Sequence, residues 1–177
     1  MELLDTLLSR KSIRSYTGES IPAADLQKIL EVGNAAPVGK GRFRTMHLTI
    51  VENPELLKAF EECTAKDLNQ PGFHPFYGAP TLIVVSTTLY PENSNNVPFS
   101  NAAIIAYNLN IAATALGFGS CLIWGAFRAI NKNPALVKSL ELPEGFTPCC
   151  GIIIGKTKEH YAKREIAKNR IGVNRIK

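Results

Sequence analysis

The sequence lacks the motifs that mark several common classes of enzyme and small folded module. Its four cysteines form no C-x-x-C pair and its three histidines lie far apart, which argues against a zinc module and a secreted disulfide framework, so no metal site is expected. No G-x-G-x-x-G follows a strand-like run, and neither G-x-x-x-x-G-K-[ST] nor G-x-S-x-G is present. Neither a Rossmann dehydrogenase nor a P-loop enzyme is supported.

The start MELLDTLLSRKSIRSY has no apolar run followed by a small-residue cleavage site, so we do not expect it to be a signal peptide. Charge is absent between Glu92 and Arg128, and the stretch from Ala102 to Phe127 is long enough in principle to cross a bilayer. Polar residues and glycines interrupt this stretch, and alanine is its commonest residue. We therefore expect a buried core helix rather than a membrane span, and a cytoplasmic protein.

What the chain does contain is ordinary for a globular protein. It has 177 residues, of which 45% are hydrophobic and 20% are charged, and this predicts a single domain over residues 1–177. The net charge of +5 is uneven, because residues 156–177 carry eight Lys or Arg against two Glu. The predicted basic extension at about 156–177 suits nucleic acid, acidic lipid or the phosphate of a small ligand, or is a solvated end.

The pattern of apolar residues predicts helices and strands without a strict βαβ alternation. The fold class that this order favours is α+β, a sheet flanked by helices. The predicted helices are Glu2–Ser9, a second with Pro22 in its first turn that ends near Asn34, one capped at Asn53 that runs to about Asp67, Phe99–Leu116, and a short one opened by Asn133-Pro134. The predicted strands are His47–Val51, Thr81–Thr88, Ser120–Trp124 and Cys149–Gly155, and the predicted loops are 36–45, 68–80 and 90–98.

The run Arg10-Lys11-Ser12-Ile13-Arg14 is the first segment that suggests more than packing. On a helical turn Arg10 and Arg14 share a face near Ser12, and two guanidinium forks with a hydroxyl suit the oxygens of a phosphate. If the tail folds back, Lys168 and Arg170 can complete the same site. The alternative for both segments is a solvated basic surface.

A second segment of interest is Ala36-Pro-Val-Gly-Lys-Gly41. Its two glycines can present backbone N–H groups to a flat ring or to an anion. The alternative is a plain loop between secondary-structure elements.

Taken in order, these segments resemble the FMN-dependent nitroreductase family over almost the whole chain. The resemblance is carried by loose motifs in a family-like order: Arg10-x-Ser12-x-Arg14, Ala36-Pro37, Gly78-Ala-Pro80 before a strand, Ala112-Ala-Thr-Ala-Leu-Gly117-Phe-Gly-Ser120, Leu142-Pro-Glu-Gly-Phe-Thr-Pro148 before Gly151-Ile-Ile-Ile-Gly155, and Lys168-x-Arg170.

The resemblance implies a central, mostly antiparallel sheet flanked by helices, in a domain-swapped homodimer with two FMN sites at its interface. It implies that two basic segments bind the phosphate and ribityl end of FMN, namely Arg10, Lys11, Ser12, Arg14, Lys168 and Arg170. It further implies that a loop from the partner chain lies against the flavin and that another segment runs past the isoalloxazine ring, namely Pro37, Val38, Gly39 and Gly41, and Ile123, Trp124 and Gly125.

The function that the resemblance implies is an oxidoreductase. NADH or NADPH delivers a hydride to flavin N5, leaves, and is replaced by a nitroaromatic, a quinone or oxygen in a ping-pong cycle. No side chain needs to act as a general acid, so no catalytic residue is named.

The loop departs from the family pattern, with Val38 in place of Ser, Gly41 in place of Asn and Phe43-Arg44-Thr45 in place of Gln-Pro-Trp. These departures leave open a flavin-binding protein with little reductase activity, used for storage, sensing or regulation. A nucleic-acid binder using the tail ranks lower, since only Tyr161 lies among its cations.

Overall fold

The computed structural model describes residues 2–90 and 95–177. The described residues form six α-helices and four strands, which are mixed along the chain. The helices are α1 (Leu3–Ser9), α2 (Ala23–Asn34), α3 (Pro54–Asp67), α4 (Asn96–Ala115), α5 (Gly125–Ile130) and α6 (Pro134–Lys138). The strands are β1 (Met46–Val51), β2 (Thr81–Thr88), β3 (Gly119–Ile123) and β4 (Phe146–Gly155).

The four strands form one sheet in the order β1-β2-β4-β3, and every pairing is antiparallel. The predicted α+β class is confirmed. β2 and β4 lie in the centre of the sheet, whereas β1 and β3 form its two edges. Pro148, which has no N–H to donate, is tolerated in central strand β4 because it pairs with Ser86 where the register shifts between Val85 and Ser86.

Helices cover both faces of the sheet, and β2 shows this most directly. Ile83 and Val85 point into a cluster with residues of α2 and α4, whereas Leu82 and Val84 point into a cluster with Phe60 of α3 and Phe127 of α5. Both sides of the strand are buried, as the continuous β-branched run predicts.

The larger differences from the predictions lie at three boundaries and in one helix that was not predicted. The predicted loop at 90–98 is wrong for Asn96–Pro98, which form the first turn of α4, where a proline costs no hydrogen bond; residues 91–94 lie outside the described residues. β4 begins at Phe146 rather than Cys149, and β3 ends at Ile123, so that Trp124 is the N-cap of α5. α5 was not predicted, because six residues are too few to show a helical period.

Two other observations test predictions made from the sequence. The predicted cap of α3 is confirmed, since the Asn53 side chain accepts hydrogen bonds from the N–H groups of Glu55 and Leu56 at 3.0 and 3.1 Å. Among the described residues, no helix combines the length and apolarity that crossing a membrane requires.

Candidate cofactor site

The arginine segment (residues 10–14) leaves α1 and runs beside edge strand β3. Ile13 is fully buried, and its N–H donates to the carbonyl of Ser120 on β3 at 2.9 Å. The helical turn assumed for this segment is therefore wrong, because α1 ends at Ser9 and the pull of Ile13 onto the sheet replaces a further turn. Arg10, Ser12 and Arg14 alternate with Lys11 and Ile13, and this alternation leaves the two arginines outside the core.

Charge pairing separates the cations of the arginine segment. Lys11 Nζ lies 2.6 Å from a carboxylate oxygen of Glu159, so a protein anion already offsets its charge. Within residues 2–90 and 95–177, neither Arg10 nor Arg14 forms an ion pair. The guanidinium groups of Arg10 and Arg14 thus remain available to an anionic ligand.

Arg14 connects this segment with the predicted ring-facing residues through Tyr77. The Arg14 guanidinium carbon lies 5.8 Å from the centre of the Tyr77 ring, within the range of a cation–π contact. Tyr77 also lines a cleft of about 300 Å³ together with Ile123, Trp124 and Gly125. The structure therefore brings Arg14 to the border of the cleft that contains the segment after β3. The sequence motifs did not single out Tyr77.

Trp124 lines this cleft and is half-exposed. The α5 helix that follows is tied to α3 by Asp67, whose carboxylate accepts from Lys132 Nζ at 2.6 Å and from Arg128 Nη2 at 3.0 Å. These two bonds hold the pKa of Asp67 below its ordinary value, with the Lys132 hydrogen bond the larger cause. This ion-pair cluster fixes α5 against the C-terminal end of α3, and both helices contribute residues to the cleft.

The basic extension folds back onto the N-terminal segment, as the phosphate-site hypothesis requires. The Tyr161 hydroxyl donates to the carbonyl of Phe118 at 2.9 Å, and Arg164 Nε donates to the carbonyl of Leu8 at 3.2 Å. Lys168 and Arg170 follow this contact, are exposed, and form no ion pair in the part of the chain that the structure describes. In that part, no hydrogen bond joins Lys168 or Arg170 to the arginine segment. Lys168 is four residues beyond Arg164, and an extended chain of four residues spans up to about 14 Å, so Lys168 is within reach of the segment.

The cationic loop (residues 36–45) carries the other predicted set and consists of two short 3-10 turns. Val38 is buried, Pro37 is exposed, and the Gly39 N–H donates to Asn101 Oδ1 of α4 at 3.0 Å. Gly41 has φ +62°, a left-handed conformation that favours glycine. The loop is therefore anchored to α4, and sequence reasoning did not single out Asn101, whose side chain anchors it.

The two sets lie at opposite edges of the sheet in one chain. The cationic loop leads directly into edge strand β1, whereas the arginine segment is bonded to edge strand β3. Three strand spacings separate β1 from β3, a distance of about 14 Å. Residues 10–14 and 37–41 therefore do not converge on one group of atoms within a single chain.

Burial keeps two tyrosines and two cysteines in their neutral forms. Burial is the main cause that raises the pKa of Tyr16 and Tyr161 above the ordinary tyrosine value. Burial likewise raises the pKa of Cys149 to about 11 and that of Cys150 to about 12, so neither thiol is a nucleophile at neutral pH. In the described ranges, no cluster of His, Cys, Asp or Glu has the geometry of a metal site.

This arrangement can bind an anion beside a cleft that is lined by aromatic side chains. Two unpaired guanidinium groups suit a phosphate, and the cleft with Trp124 and Tyr77 suits a planar ring. A ligand that has both parts matches the donor set.

Comparison with known proteins places the chain among flavoproteins of one family. A family model described as the nitroreductase family matches residues 7–156. A candidate NADH dehydrogenase/NAD(P)H nitroreductase of Methanothermobacter thermautotrophicus is 26% identical over 94% of this chain and 83% of its own length. An FMN reductase (NADPH) of Bacillus subtilis is 25% identical over 86% of this chain and 64% of its own length. A crystal structure of a nitroreductase with bound FMN from Bacteroides fragilis is 28% identical, covers 99% of this chain and 100% of its own, and has a TM-score of 0.80.

Proposed function

The chain belongs to the nitroreductase family, and on this premise we propose that it is an FMN-dependent oxidoreductase that uses NADH or NADPH as electron donor. The observation that carries the proposal is the unpaired Arg14, which lies over Tyr77 at the border of the cleft lined by Trp124. The names of the similar proteins from Bacillus subtilis and Bacteroides fragilis support FMN as the ligand.

The donor set fits FMN in its charge and in its shape. Arg10, Ser12 and Arg14 would hold the phosphate, and Lys168 and Arg170 of the folded-back tail would complete the clamp. Lys11 would contribute least, because Glu159 already accepts from its ammonium group. When bound, FMN supplies hydride-transfer chemistry at its ring, and the chain supplies binding, orientation and the exclusion of water. No side chain is assigned a proton-transfer role.

A second copy of the chain would complete the site. The cationic loop and the arginine segment lie at opposite edges of one sheet, so both can contact one FMN only if they come from different chains. Residues Pro37, Val38, Gly39 and Gly41 would then lie against the flavin bound by the partner, beside its Ile123, Trp124 and Gly125. We accordingly propose a homodimer.

The outer face of α4 supports this dimer. Val97, Ile104, Tyr107 and Ile111 follow helical spacing on the side of α4 that does not face the sheet, and the first three are exposed by more than a third. Because an apolar stripe of this length is unusual on a monomer surface, we propose that it packs against the second copy.

The end of the tail supports an exchange of segments between the copies. Ile171, Val173 and Ile176 are 79%, 90% and 92% exposed, although each is strongly apolar. Burial of such side chains against a partner is favourable by roughly 1.5–3 kcal/mol each. We propose that residues 171–176 pack on the second copy, as expected for a domain-swapped dimer.

The proposal also covers the electron acceptor, the extent of the FMN-binding unit and the location of the protein. The acceptor would be a small oxidised molecule such as a nitroaromatic or a quinone, which would take the place of the donor in a ping-pong cycle. The chain works as a single FMN-binding unit over residues 1–177. We propose the cytoplasm as its location, since the four cysteines are free thiols and the donor is a cytoplasmic metabolite.

The experiment that tests the proposal uses the purified full chain. A sample that binds FMN with a flavin absorbance, loses that absorbance anaerobically on addition of NADPH or NADH, and regains it with a quinone or nitroaromatic is the expected result. A colourless protein that refuses added FMN contradicts the cofactor. A protein that binds FMN but whose flavin neither nucleotide reduces favours instead the flavin-binding protein without reductase activity, which the departures at Val38 and Gly41 motivate.

A further inference from the structure

The cationic loop carries a charge that the FMN site does not use. We propose that Lys40, Arg42 and Arg44 bind the 2′-phosphate of NADPH and make NADPH the preferred electron donor. The inference rests on the proposed function, because it requires the chain to take electrons from a nicotinamide dinucleotide. It adds a binding site for the adenosine end of the donor, separate from the arginines that would hold FMN.

The first support is the absence of protein anions around these cations. All three residues are exposed, and the loop from Ala36 to Thr45 contains no Asp or Glu. Within the described residues none of the three forms an ion pair, whereas Lys28, Lys58 and Arg128 on helices, and Lys132 just after α5, each do. Three uncompensated positive charges within five residues attract a dianion and repel other cations.

The second support is the rigidity of the loop. Its N-terminal half is bonded to α4 through the Gly39 N–H and Asn101 Oδ1 at 3.0 Å. At its C-terminal end, the Thr45 hydroxyl donates to the carbonyl of Arg42 at 2.8 Å, and the Thr87 hydroxyl of β2 donates to the carbonyl of Thr45 at 3.0 Å. The backbone that carries the cations is therefore ordered before a ligand binds, which lowers the entropy cost of binding.

The third support is a surface for the adenine ring beside the charges. Phe43 lies between Arg42 and Arg44 in the sequence and is 54% exposed, which is unusual for phenylalanine. Phe43 and His47 line one side of a cleft of about 360 Å³. An aromatic face next to guanidinium groups suits a purine that carries a phosphate.

The 2′-phosphate carries more charge on a single group than either phosphate of the pyrophosphate does, which favours it as the ligand of three clustered cations. NADH and NADPH share the pyrophosphate, so cations that bound only this group would not discriminate between them. The 2′-phosphate is a monoester with close to two negative charges at neutral pH, and guanidinium forks bind such a group with two parallel hydrogen bonds. An arginine near the ribose is also a general solution for NADP in other folds.

The position of the loop gives it a separate role from the arginine segment. Because the two lie at opposite edges of the sheet, they meet different anions within one chain. In the proposed dimer the loop would lie near the partner's flavin. One dinucleotide could then place its nicotinamide at the flavin and its 2′-phosphate at the cations of the loop.

The test compares ligands that differ only in the 2′-phosphate. The variant is Lys40→Asn/Arg42→Gln/Arg44→Gln in the FMN-loaded protein, with asparagine at position 40 because Lys40 has φ +56° and asparagine tolerates this conformation. Calorimetric titration with 2′,5′-ADP and with 5′-AMP measures binding, and anaerobic stopped-flow reduction of the flavin measures kcat/KM for NADPH and NADH. Lys138→Gln on α6, another exposed lysine without an ion pair among the described residues, is the matched control.

We expect wild type and Lys138→Gln to bind 2′,5′-ADP more tightly than 5′-AMP, and the triple variant to lose about ten- to a hundredfold of this difference. The same factor is expected in the ratio of kcat/KM for NADPH to that for NADH. If the triple variant does not fold, Arg42→Gln and Arg44→Gln alone are expected to show part of the loss.

Equal losses for the two ligands, or no loss for either, overturn the inference. A wild type that binds 2′,5′-ADP no more tightly than 5′-AMP overturns it as well. A flavin that both nucleotides reduce at equal rates in all variants contradicts donor selection alone, whereas a flavin that neither reduces contradicts the proposed oxidoreductase itself.

Discussion

The arginine segment and the cationic loop are both short and basic and contain neither α-helix nor strand, yet their surroundings differ. In the arginine segment, Ile13 is buried against β3, Lys11 pairs with Glu159, and Arg14 stacks on Tyr77. In the cationic loop the backbone is bonded to the core, but all three cations are exposed and unpaired within the described residues. The arginine segment therefore has protein partners for two of its three cations, whereas the cations of the cationic loop have none among the described residues.

The difference indicates that a basic run becomes a site through its neighbours rather than through its charge. The tail folds over the arginine segment through Tyr161 and Arg164, and no comparable element covers the loop in one chain, within the described residues. In our account the second copy supplies what the loop lacks. This explanation is therefore wrong if the chain binds FMN as a monomer.

The largest effect is expected from breaking the dimer, because this would separate the two segments. Ile104→Asp/Tyr107→Asp places two charges on the apolar outer face of α4. Burying an unpaired charge at an interface costs several kcal/mol, so the variant is expected to be a monomer that loses FMN affinity by more than about a hundredfold. Sedimentation velocity and flavin absorbance measure the two losses.

Ala135→Asp, which adds a charge to exposed α6, is the control and is expected to remain a yellow dimer. If Ile104→Asp/Tyr107→Asp is a stable monomer that still binds FMN with wild-type affinity, the second copy has no part in the site.

A smaller effect is expected within the arginine segment, where ion pairing distinguishes two cations. Arg14→Ala is expected to weaken FMN binding about ten- to a hundredfold, because a charge-assisted hydrogen bond contributes about 1.5–3 kcal/mol. Riboflavin has no phosphate, so its affinity is expected to change little. Titration of both ligands into apoprotein at fixed ionic strength measures the difference.

Lys11→Ala is the matched control, since Glu159 already pairs with Lys11 and exposed pairs contribute less than about 1 kcal/mol. Equal losses of FMN and riboflavin affinity in Arg14→Ala would mean that the arginine acts through folding. A larger loss in Lys11→Ala than in Arg14→Ala would reverse the assignment of the two cations.

The smallest effect concerns the cleft wall beside the arginine segment. The Lys132 ammonium and the Arg128 guanidinium lower the pKa of Asp67 in the folded chain, so its ionised form favours folding. This contribution is complete at neutral pH and is lost as the pH falls below the ordinary aspartate value of 3.8 and through the lowered folded-state pKa. Asp67→Asn is expected to lower the Tm at pH 7 and to flatten its dependence on pH below about 4.

Asp25→Asn removes an exposed pair between Asp25 and Lys28 on α2 and is the control. Thermal unfolding of the three proteins between neutral pH and about pH 3 checks the prediction. Asp67→Asn and wild type with the same dependence of Tm on pH would show that the tie between α3 and α5 contributes nothing.

Local pattern predicted the sheet and most helices, because their signals lie within a few residues. The continuous run Thr81–Thr88 predicts a strand buried on both faces, and the structure has that strand with the same bounds. α4 was predicted to start too late, since Asn96 and Pro98 indicate a loop when read by themselves but are accepted in the first helical turn. The six residues of α5 offer no period to detect.

The site is less predictable, because it depends on contacts between residues far apart in the chain. The types and order of residues at positions 10–14 indicate a phosphate site, but the bond from Ile13 to Ser120 decides that the segment is not a helical turn. Nothing near Arg14 in the sequence points to Tyr77, and nothing near Lys11 points to Glu159. Such pairs become visible only once the sheet has brought its edges and its tail together.

The most direct test of a site shared between two chains is complementation between two defective variants. Arg10→Ala/Arg14→Ala removes the proposed phosphate arginines, and Gly41→Val forces a β-branched residue into the left-handed turn of the loop, so each homodimer is expected to lose FMN. When the two are unfolded and refolded together, half of the dimers are mixed, and each mixed dimer has one site with both segments intact. The account predicts that about a quarter of the sites regain wild-type FMN affinity. A refolded mixture that binds no more FMN than the two variants separately would contradict it.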